Sequence, residues 1–182
     1  MSESEPAWPP APIRTERLML RASQARDRAA IIEMFASPEV GAYIGGGRPR
    51  DQLERTAPEV PGQRFGFFVV ELAGALIGLI TLDRRAAERP GHVRREGEET
   101  EIGYLFFPHA WGSGYAAEAC EAALDWIADL RPGEPVVLCT QVANDRARRL
   151  AAKLGFTEVE RFEEFAAMQW FGVRRAAVSP VC

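Results

Sequence analysis

Apolar residues recur along this chain at two spacings, every second position and every third to fourth, and the switches between them lay out its elements. Arg17-Leu18-Met19-Leu20-Arg21 alternates as a half-buried strand does. Behind Ser23, the positions Ala29, Ile32 and Phe35 share one helical face until Pro38 ends the helix. Gly45-Gly46-Gly47 before Arg48-Pro49 marks a flexible loop, and a weaker helical stretch over residues 51–60 ends at Pro61-Gly62. A segment of this kind is suited to covering a site. Residues 65–71 and 75–82 are β-rich runs joined by Leu72-Ala73-Gly74, a hairpin and therefore an antiparallel pair.

A further strand is expected over residues 101–107, ending at Pro108. From 115 to 130, Ala116, Ala119, Cys120, Ala123, Leu124 and Ile127 form an apolar stripe opposite an acidic stripe of Glu118, Glu121, Asp125 and Asp129. Val136-Val137-Leu138-Cys139 is a continuous apolar run, as expected of a parallel strand buried on both faces. Strand, crossover helix and strand make a right-handed βαβ unit. A second helix over 145–154 is closed by Gly155, and Phe156 opens a last pair of strands running to about residue 175. The expected fold class is α/β: a central mixed, mostly antiparallel sheet of about seven strands with helices on both faces. One domain is expected over residues 13–176, with a Pro-rich extended arm over 1–12 and a short tail over 177–182.

The most specific chemistry lies in Trp111-Gly112-Ser113-Gly114-Tyr115-Ala116, where two glycines sit at the mouth of the acidic-faced helix. A helix start leaves about four N–H groups without internal partners and carries partial positive charge, so an anion docks there when side chains stay clear. Glycine keeps them clear. The net charge of −4 gives no general attraction to nucleic acid or an anionic membrane, so a polyanionic ligand has to be held locally. No apolar run approaches the roughly 18 to 20 residues of a membrane span, and Met1 to Glu5 is polar and acidic instead of export-like, which sets a cytoplasmic expectation. Cys120, Cys139 and Cys182 lack metal-type spacing, so no disulfide and no metal are expected. The charged run over residues 84–100 reads as a solvated loop, with the alternative that some of its arginines face a substrate or cofactor phosphate.

At this point the residues resemble the GNAT superfamily of N-acetyltransferases, in the RimJ/RimL-like branch of ribosomal-protein alanine N-acetyltransferases. The likeness covers about residues 13–175. It rests on Thr15-Glu16-Arg17-Leu18-Met19-Leu20-Arg21, on Glu101-Ile102-Gly103-Tyr104, on the Trp111 to Ala116 loop, and on Asn144 with Lys153-Leu154-Gly155-Phe156. It implies acetyl-CoA as donor, its pyrophosphate on the backbone N–H groups of Trp111, Gly112, Ser113, Gly114, Tyr115 and Ala116. It also implies that Leu105 and Phe106 pair with the pantetheine arm at a strand end that splays from the next strand. Asn144 and Lys153 then belong to the second cofactor segment. Two positions depart from the wider pattern. Leu150-Ala151-Ala152 stands where many members carry a tyrosine acid, and His109 stands where the loop pattern often has Arg or Gln.

Acyl transfer from a thioester needs a neutral amine, a donor for the developing oxyanion and a thiolate that can leave. An α-amino group, at about 7.7 to 8.0, is partly neutral at physiological pH, whereas a lysine side chain, at about 10.4, is not. Glu101 is the only acidic residue on the central strand, so it is either the base, acting through water, or a strand-end carboxylate paired with an arginine of the preceding loop. Glu98, Glu99, Glu101, Glu163 and Glu164 are candidates to line a cleft for a cationic acceptor: a peptide N-terminus, a polyamine or an aminoglycoside-like amine. Two rival readings remain. One is a non-catalytic acyl-CoA-binding regulator. The other takes Gly112-Ser113-Gly114-Tyr115-Ala116-Ala117 as a dinucleotide fingerprint, against which stand the strands that precede it and a following strand ending in Thr140-Gln141 without an acid for a ribose. The apolar residues Phe165, Met168, Trp170 and Phe171 suit either pairing with a second copy as a homodimer or burial in the monomer.

Overall fold

The computed structural model describes residues 7–176. Its strands are β1 (Ile13–Arg14), β2 (Leu18–Ala22), β3 (Phe67–Leu72), β4 (Ala75–Arg84), β5 (Thr100–Phe106), β6 (Val136–Gln141), β7 (Thr157–Glu164) and β8 (Ala167–Arg174). They form one mixed sheet in the order β1-β2-β3-β4-β5-β6-β8-β7. The helices are α1 (Arg28–Ala36), α2 (Pro38–Gly41), α3 (Arg50–Thr56), α4 (Tyr115–Leu130) and α5 (Asp145–Lys153). The fold is the expected α/β class. The strand beyond the expected seven is β1, which at two residues is too short to leave an alternation; Ile13 opposes Leu20 on β2. Two compact units divide the chain, residues up to Thr81 with Tyr104–Ala123, and Leu82–Gly103 with residues from Leu124 onward.

In the first unit β1 to β4 form an antiparallel meander, with Leu20 opposite Val70 and Val69 opposite Leu79. Leu20, Phe68, Val69 and Val70 are fully buried. Ile31 and Met34 of α1 pack against Phe67, Val69, Leu79 and Phe107. Of the expected helical face, Ile32 is buried and Phe35 partly so, but Ala29 is exposed, so the buried face runs through Ile31, Ile32 and Met34. Pro38 ends α1 and also begins α2, because a proline fits the first helical position. Ser37 caps that turn, its Oγ accepting from the Val40 N–H at 3.3 Å. The next helix, α3, stops at Thr56, short of the expected residue 60.

In the second unit β5 and β6 are parallel, pairing Thr100 with Val136 and Glu101 with Val137. The ladder stops there, while on its other edge β6 pairs antiparallel with β8 along its whole length, from Val136 opposite Arg174 to Gln141 opposite Gln169. Val137, Phe171 and Val173 form a core with Val93, Cys139 and Phe162 around it. Trp170 and Phe171 are buried within the unit, whereas Phe165 and Met168 at the β7–β8 hairpin tip are exposed. Edge strand β7 carries Glu158, Glu160, Arg161, Glu163 and Glu164, charges that discourage strand pairing by another chain.

The charged segment between β4 and β5 departs from the solvated loop expected of it: Arg85 and Glu99 are buried. Glu99 accepts from the Val93 N–H at 2.6 Å and meets His92 Nδ1 at 2.9 Å, while Arg85 Nε donates to the Gly91 carbonyl at 2.8 Å and Nη2 to that of Pro90. A charge leaves water only when fixed groups replace its hydration, and the segment folds back on itself to supply them.

The first unit holds a comparable cluster. Arg21 on β2 grips Asp27 through Nη1 and Nη2 at 2.7 and 2.9 Å and Glu71 through Nε at 2.7 Å, all three side chains buried. Burial acts to raise the Asp27 carboxyl, but the Arg21 guanidinium and the Gln24 N–H outweigh it and hold the group below its ordinary 3.8. Such a carboxyl contributes stability that is complete above its unfolded value and lost as pH falls through its folded value. Asp27→Asn therefore lowers the unfolding free energy by about 3 kcal/mol at pH 7. The gap from the parent protein narrows as pH falls through the lowered value, which urea unfolding at pH 7 and at acidic pH measures.

Candidate active site

Strand β5 ends at Phe106, and a 3₁₀ turn over Pro108–Ala110 leads into the glycine loop. Two contacts fix that entry. The Phe107 N–H donates to the Ile77 carbonyl at 3.0 Å, and the Trp111 indole Nε1 donates to the Phe106 carbonyl at 2.9 Å. Phe106 lies over Gly78 so closely that a Cβ there would stand 2.4 Å from its ring and 2.9 Å from the Leu105 carbonyl. Its side chain is thus a packing group, and one lone pair of its carbonyl is engaged by Trp111. His109, exposed, stacks on Phe107 with ring centroids 5.4 Å apart.

Gly112 and Gly114 adopt φ of +78° and +79°, a left-handed conformation that a Cβ disfavours. The first backbone bond that closes a turn of α4 runs from the Glu118 N–H to the Gly114 carbonyl at 3.1 Å. The N–H groups just before Glu118 therefore have no intrahelical acceptor. Nothing stands within 4 Å of a Cβ built on Gly112, so the loop is open on that side. Open space, free N–H groups and the positive end of a helix suit an anion of diphosphate type.

Sequence reasoning missed the residues that tie this loop down. Glu118 belongs to the acidic stripe of α4 together with Glu121, Asp125 and Asp129, and those three are exposed. Glu118 is not. Its Oε1 accepts from Thr15 Oγ1 at 2.5 Å and the Arg17 N–H at 2.9 Å, and its Oε2 accepts from Arg17 Nε at 2.7 Å. Burial acts to raise this carboxyl, but the bonds from Thr15 and Arg17 prevail and hold it below the carboxylate range. Arg17 also donates from Nη1 to the Ser113 carbonyl at 2.9 Å and lies over the Tyr115 ring at 4.6 Å. The Thr15-x-Arg17-Leu18 signature was visible, but nothing linear connects it to a helix a hundred residues later.

In the second unit, Glu101 gathers the arginines of the preceding segment. Its Oε2 accepts from Arg85 Nη1 at 2.9 Å and Arg89 Nη1 at 3.2 Å. Arg89 also forks onto both oxygens of Glu164, at 3.0 and 2.8 Å, and holds that carboxyl below the usual range. Arg85 lies over the rings of Phe171 and Phe162, at 5.0 and 5.9 Å. Of the five acids considered for a cationic acceptor, Glu99, Glu101 and Glu164 are thus engaged internally, and Glu98 and Glu163 are exposed. Cys139 belongs to the same cluster. Burial pushes its thiol up to about 11, with Arg85 and Arg89 pulling against the Glu101 and Glu164 carboxylates.

Asn144 is the N-cap of α5: its Oδ1 accepts from the Ala147 N–H at 3.1 Å and its Nδ2 donates to Thr140 Oγ1 at 3.4 Å. Lys153 is exposed in the last turn, where a cation complements the helix dipole. Ala151 is buried, and the helix carries no hydroxyl where a tyrosine acid would stand. Tyr104 on β5 is no substitute, because its buried hydroxyl has no partner among the described residues and burial pushes its phenol well up. Among the described residues no cluster of His, Cys, Asp or Glu can hold a metal, and no helix is long and apolar enough to cross a membrane.

The loop and its supporting elements correspond to a known family. The model of the acetyltransferase (GNAT) domain matches residues 17–157, and the chain belongs to that family. It is an acyltransferase, and acetyl-CoA-dependent acyl transfer is its general chemistry. The uncharacterized protein YkkB of Bacillus subtilis is 29% identical over 148 residues, 78% of this chain and 82% of that protein. The FsC-acetyl coenzyme A-N(2)-transacetylase of Aspergillus fumigatus is 28% identical over 160 residues, 82% of this chain and 66% of that protein. The fold is shared with a GNAT-family acetyltransferase from Bacillus anthracis, at a TM-score of 0.72 and 21% identity over 91% of this chain and 98% of that one. It is shared also with RimL, the ribosomal L7/L12 alpha-N-protein acetyltransferase solved with coenzyme A, at 0.69 and 12% identity over 91% and 98%.

The two kinds of glycine in and behind the loop respond differently to a methyl group. Gly112→Ala meets open space and costs about 1 kcal/mol of backbone strain. Gly78→Ala drives Phe106 from its seat and costs about 2 kcal/mol or more. Chemical denaturation of the two variants measures the order, and a larger loss for Gly112→Ala would contradict the packing described for β4 and β5.

Proposed function

We propose that this acyltransferase moves the acetyl group of acetyl-CoA to a primary amine by direct attack in a ternary complex, with an α-amine such as a peptide N-terminus as the preferred acceptor. The observation that carries the donor assignment is the start of α4, where two left-handed glycines leave backbone N–H groups free on an unobstructed side. On this reading the loop from Trp111 to Ala116 binds the diphosphate through the N–H groups after Trp111, whose own N–H donates to the Pro108 carbonyl at 3.1 Å. The pantetheine arm runs along β5 at Leu105 and Phe106, past the point where pairing with β6 ends. Asn144 and Lys153 are the further residues that the family likeness assigns to the donor.

Direct attack is supported by the state of the thiols. With Cys139 at about 11, only about one molecule in ten thousand carries the thiolate at pH 7. Burial also pushes the fully buried Cys120 well up. Neither is suited to carry the acetyl group in transit.

The preference for an α-amine follows from how little help the site offers a protonated acceptor. Glu101 takes the amine proton through water, but one of its oxygens already accepts from two guanidinium groups. With Glu99 and Glu164 also engaged, only Glu98 and Glu163 of the five candidate acids are left exposed to meet a polycation. An amine that is partly neutral at working pH needs the least from such a site. RimL, named for an alpha-amine of a ribosomal protein, has the same fold.

A thiol-release screen of acetyl-CoA against short peptides, polyamines and aminoglycosides tests the reading. Peptides with a free N-terminus are expected to turn over fastest, initial-rate lines to intersect, and Cys139→Ala to retain turnover. Parallel lines with an inactive Cys139→Ala would establish a covalent acetyl intermediate instead, and preference for a polyamine would overturn the acceptor. Coenzyme A binding without turnover on any amine would favour the regulator.

A further inference from the structure

A carboxylate in the first turn of a helix stabilises that helix, but it opposes a second anion at the same N-terminus. Glu118 is such a carboxylate, one turn from the N–H groups assigned to the diphosphate. Two features of Arg17 answer this conflict. Its backbone N–H and Nε both donate to the Glu118 carboxylate, neutralising it with help from Thr15. The far end of the same guanidinium holds the Ser113 carbonyl at 2.9 Å. In a trans peptide the C=O of one residue and the N–H of the next point in opposite directions. Holding the Ser113 carbonyl toward Arg17 therefore aims the Gly114 N–H to the opposite side of that peptide. Gly114 is also where the guanidinium comes close: Nη2 would stand 3.4 Å from a Cβ built there.

We propose that Arg17 is a positioning residue for donor binding, silencing the charge of Glu118 and setting the direction of the Gly114 N–H so that the loop accepts a diphosphate. Arg17 does not touch the reacting atoms. Its effect appears in affinity for the diphosphate-bearing donor and not in the acyl-transfer step. The inference rests on the reading that this loop binds the diphosphate of acetyl-CoA.

Calorimetry with coenzyme A and initial-rate kinetics with acetyl-CoA and S-acetylpantetheine, which lacks the diphosphate, test it on the full chain and four variants: Arg17→Met, Arg17→Lys, Glu118→Gln and the Arg17→Met/Glu118→Gln double variant. Arg17→Met is expected to weaken coenzyme A binding about tenfold and raise the KM for acetyl-CoA in proportion. Saturated kcat and the KM for S-acetylpantetheine should stay within about twofold. Arg17→Lys, which keeps the charge and loses the fork, falls between. The double variant should bind coenzyme A more tightly than Arg17→Met, because the exposed carboxylate is gone. A purely structural role predicts no such rescue and an equal loss with both donors, and either result overturns the proposal. If Arg17→Met does not fold, an Arg17→Lys affinity equal to that of the unaltered chain overturns it as well. If the unaltered chain itself takes no coenzyme A at millimolar concentration, the diphosphate reading falls and this inference with it; binding by the unaltered chain with no loss in Arg17→Met removes the inference alone.

Discussion

The first turn of α4 has to keep backbone N–H groups free of partners while remaining a stable helix start. An unsatisfied turn frays unless something outside the helix holds it. Here the hold comes from the chain just before β2, where Thr15 and Arg17 close on Glu118, and from the Trp111 indole fastened to the end of β5. The glycines contribute the opposite property, a backbone free to present its amides without side chains in the way. Rigidity at the flanks and openness at the centre hold the loop amides in place with nothing in front of them, the arrangement on which the proposed diphosphate site depends.

The second unit resolves a different conflict, that of charged groups removed from water. Arg85 and Glu99 are buried, and each is satisfied within the segment that links β4 to β5 or at the start of β5. A buried charge is costly to leave without the groups that satisfy it, so these contacts fix one conformation of the segment. That conformation brings Arg85 and Arg89 onto Glu101 and Arg89 onto Glu164. The acid most exposed to functional suspicion in the sequence is therefore also the centre of a structural network, and its chemistry is inseparable from the arginines around it.

Much of this architecture was legible in linear order. The alternation of β2, the hairpin of β3 and β4, the length of α4 and the apolar run of β6 all follow from local periodicity, because each element buries one face. The glycine turn was legible too, since Gly112 and Gly114 adopt the left-handed backbone that a Cβ disfavours. What escaped were the places where polar residues are buried or paired with remote partners: Arg21 with Asp27 and Glu71, Arg85, Glu99, and the half-buried Glu118. A charged residue looks the same in a sequence whether it is solvated or paired with a partner fifty to a hundred positions away.

From its sequence this chain already had its element types, its fold class and the position of the glycine turn before α4, since periodicity and glycine chemistry act over a few residues. Folding settled which charges lie in water and which are spent on one another. It thereby gave Arg17 and Glu118 a joint role at the loop and committed Glu101 to two arginines. The physical reason is that ion pairing and desolvation depend on distance in space, a quantity that residue order carries only after the sheet has brought remote segments side by side.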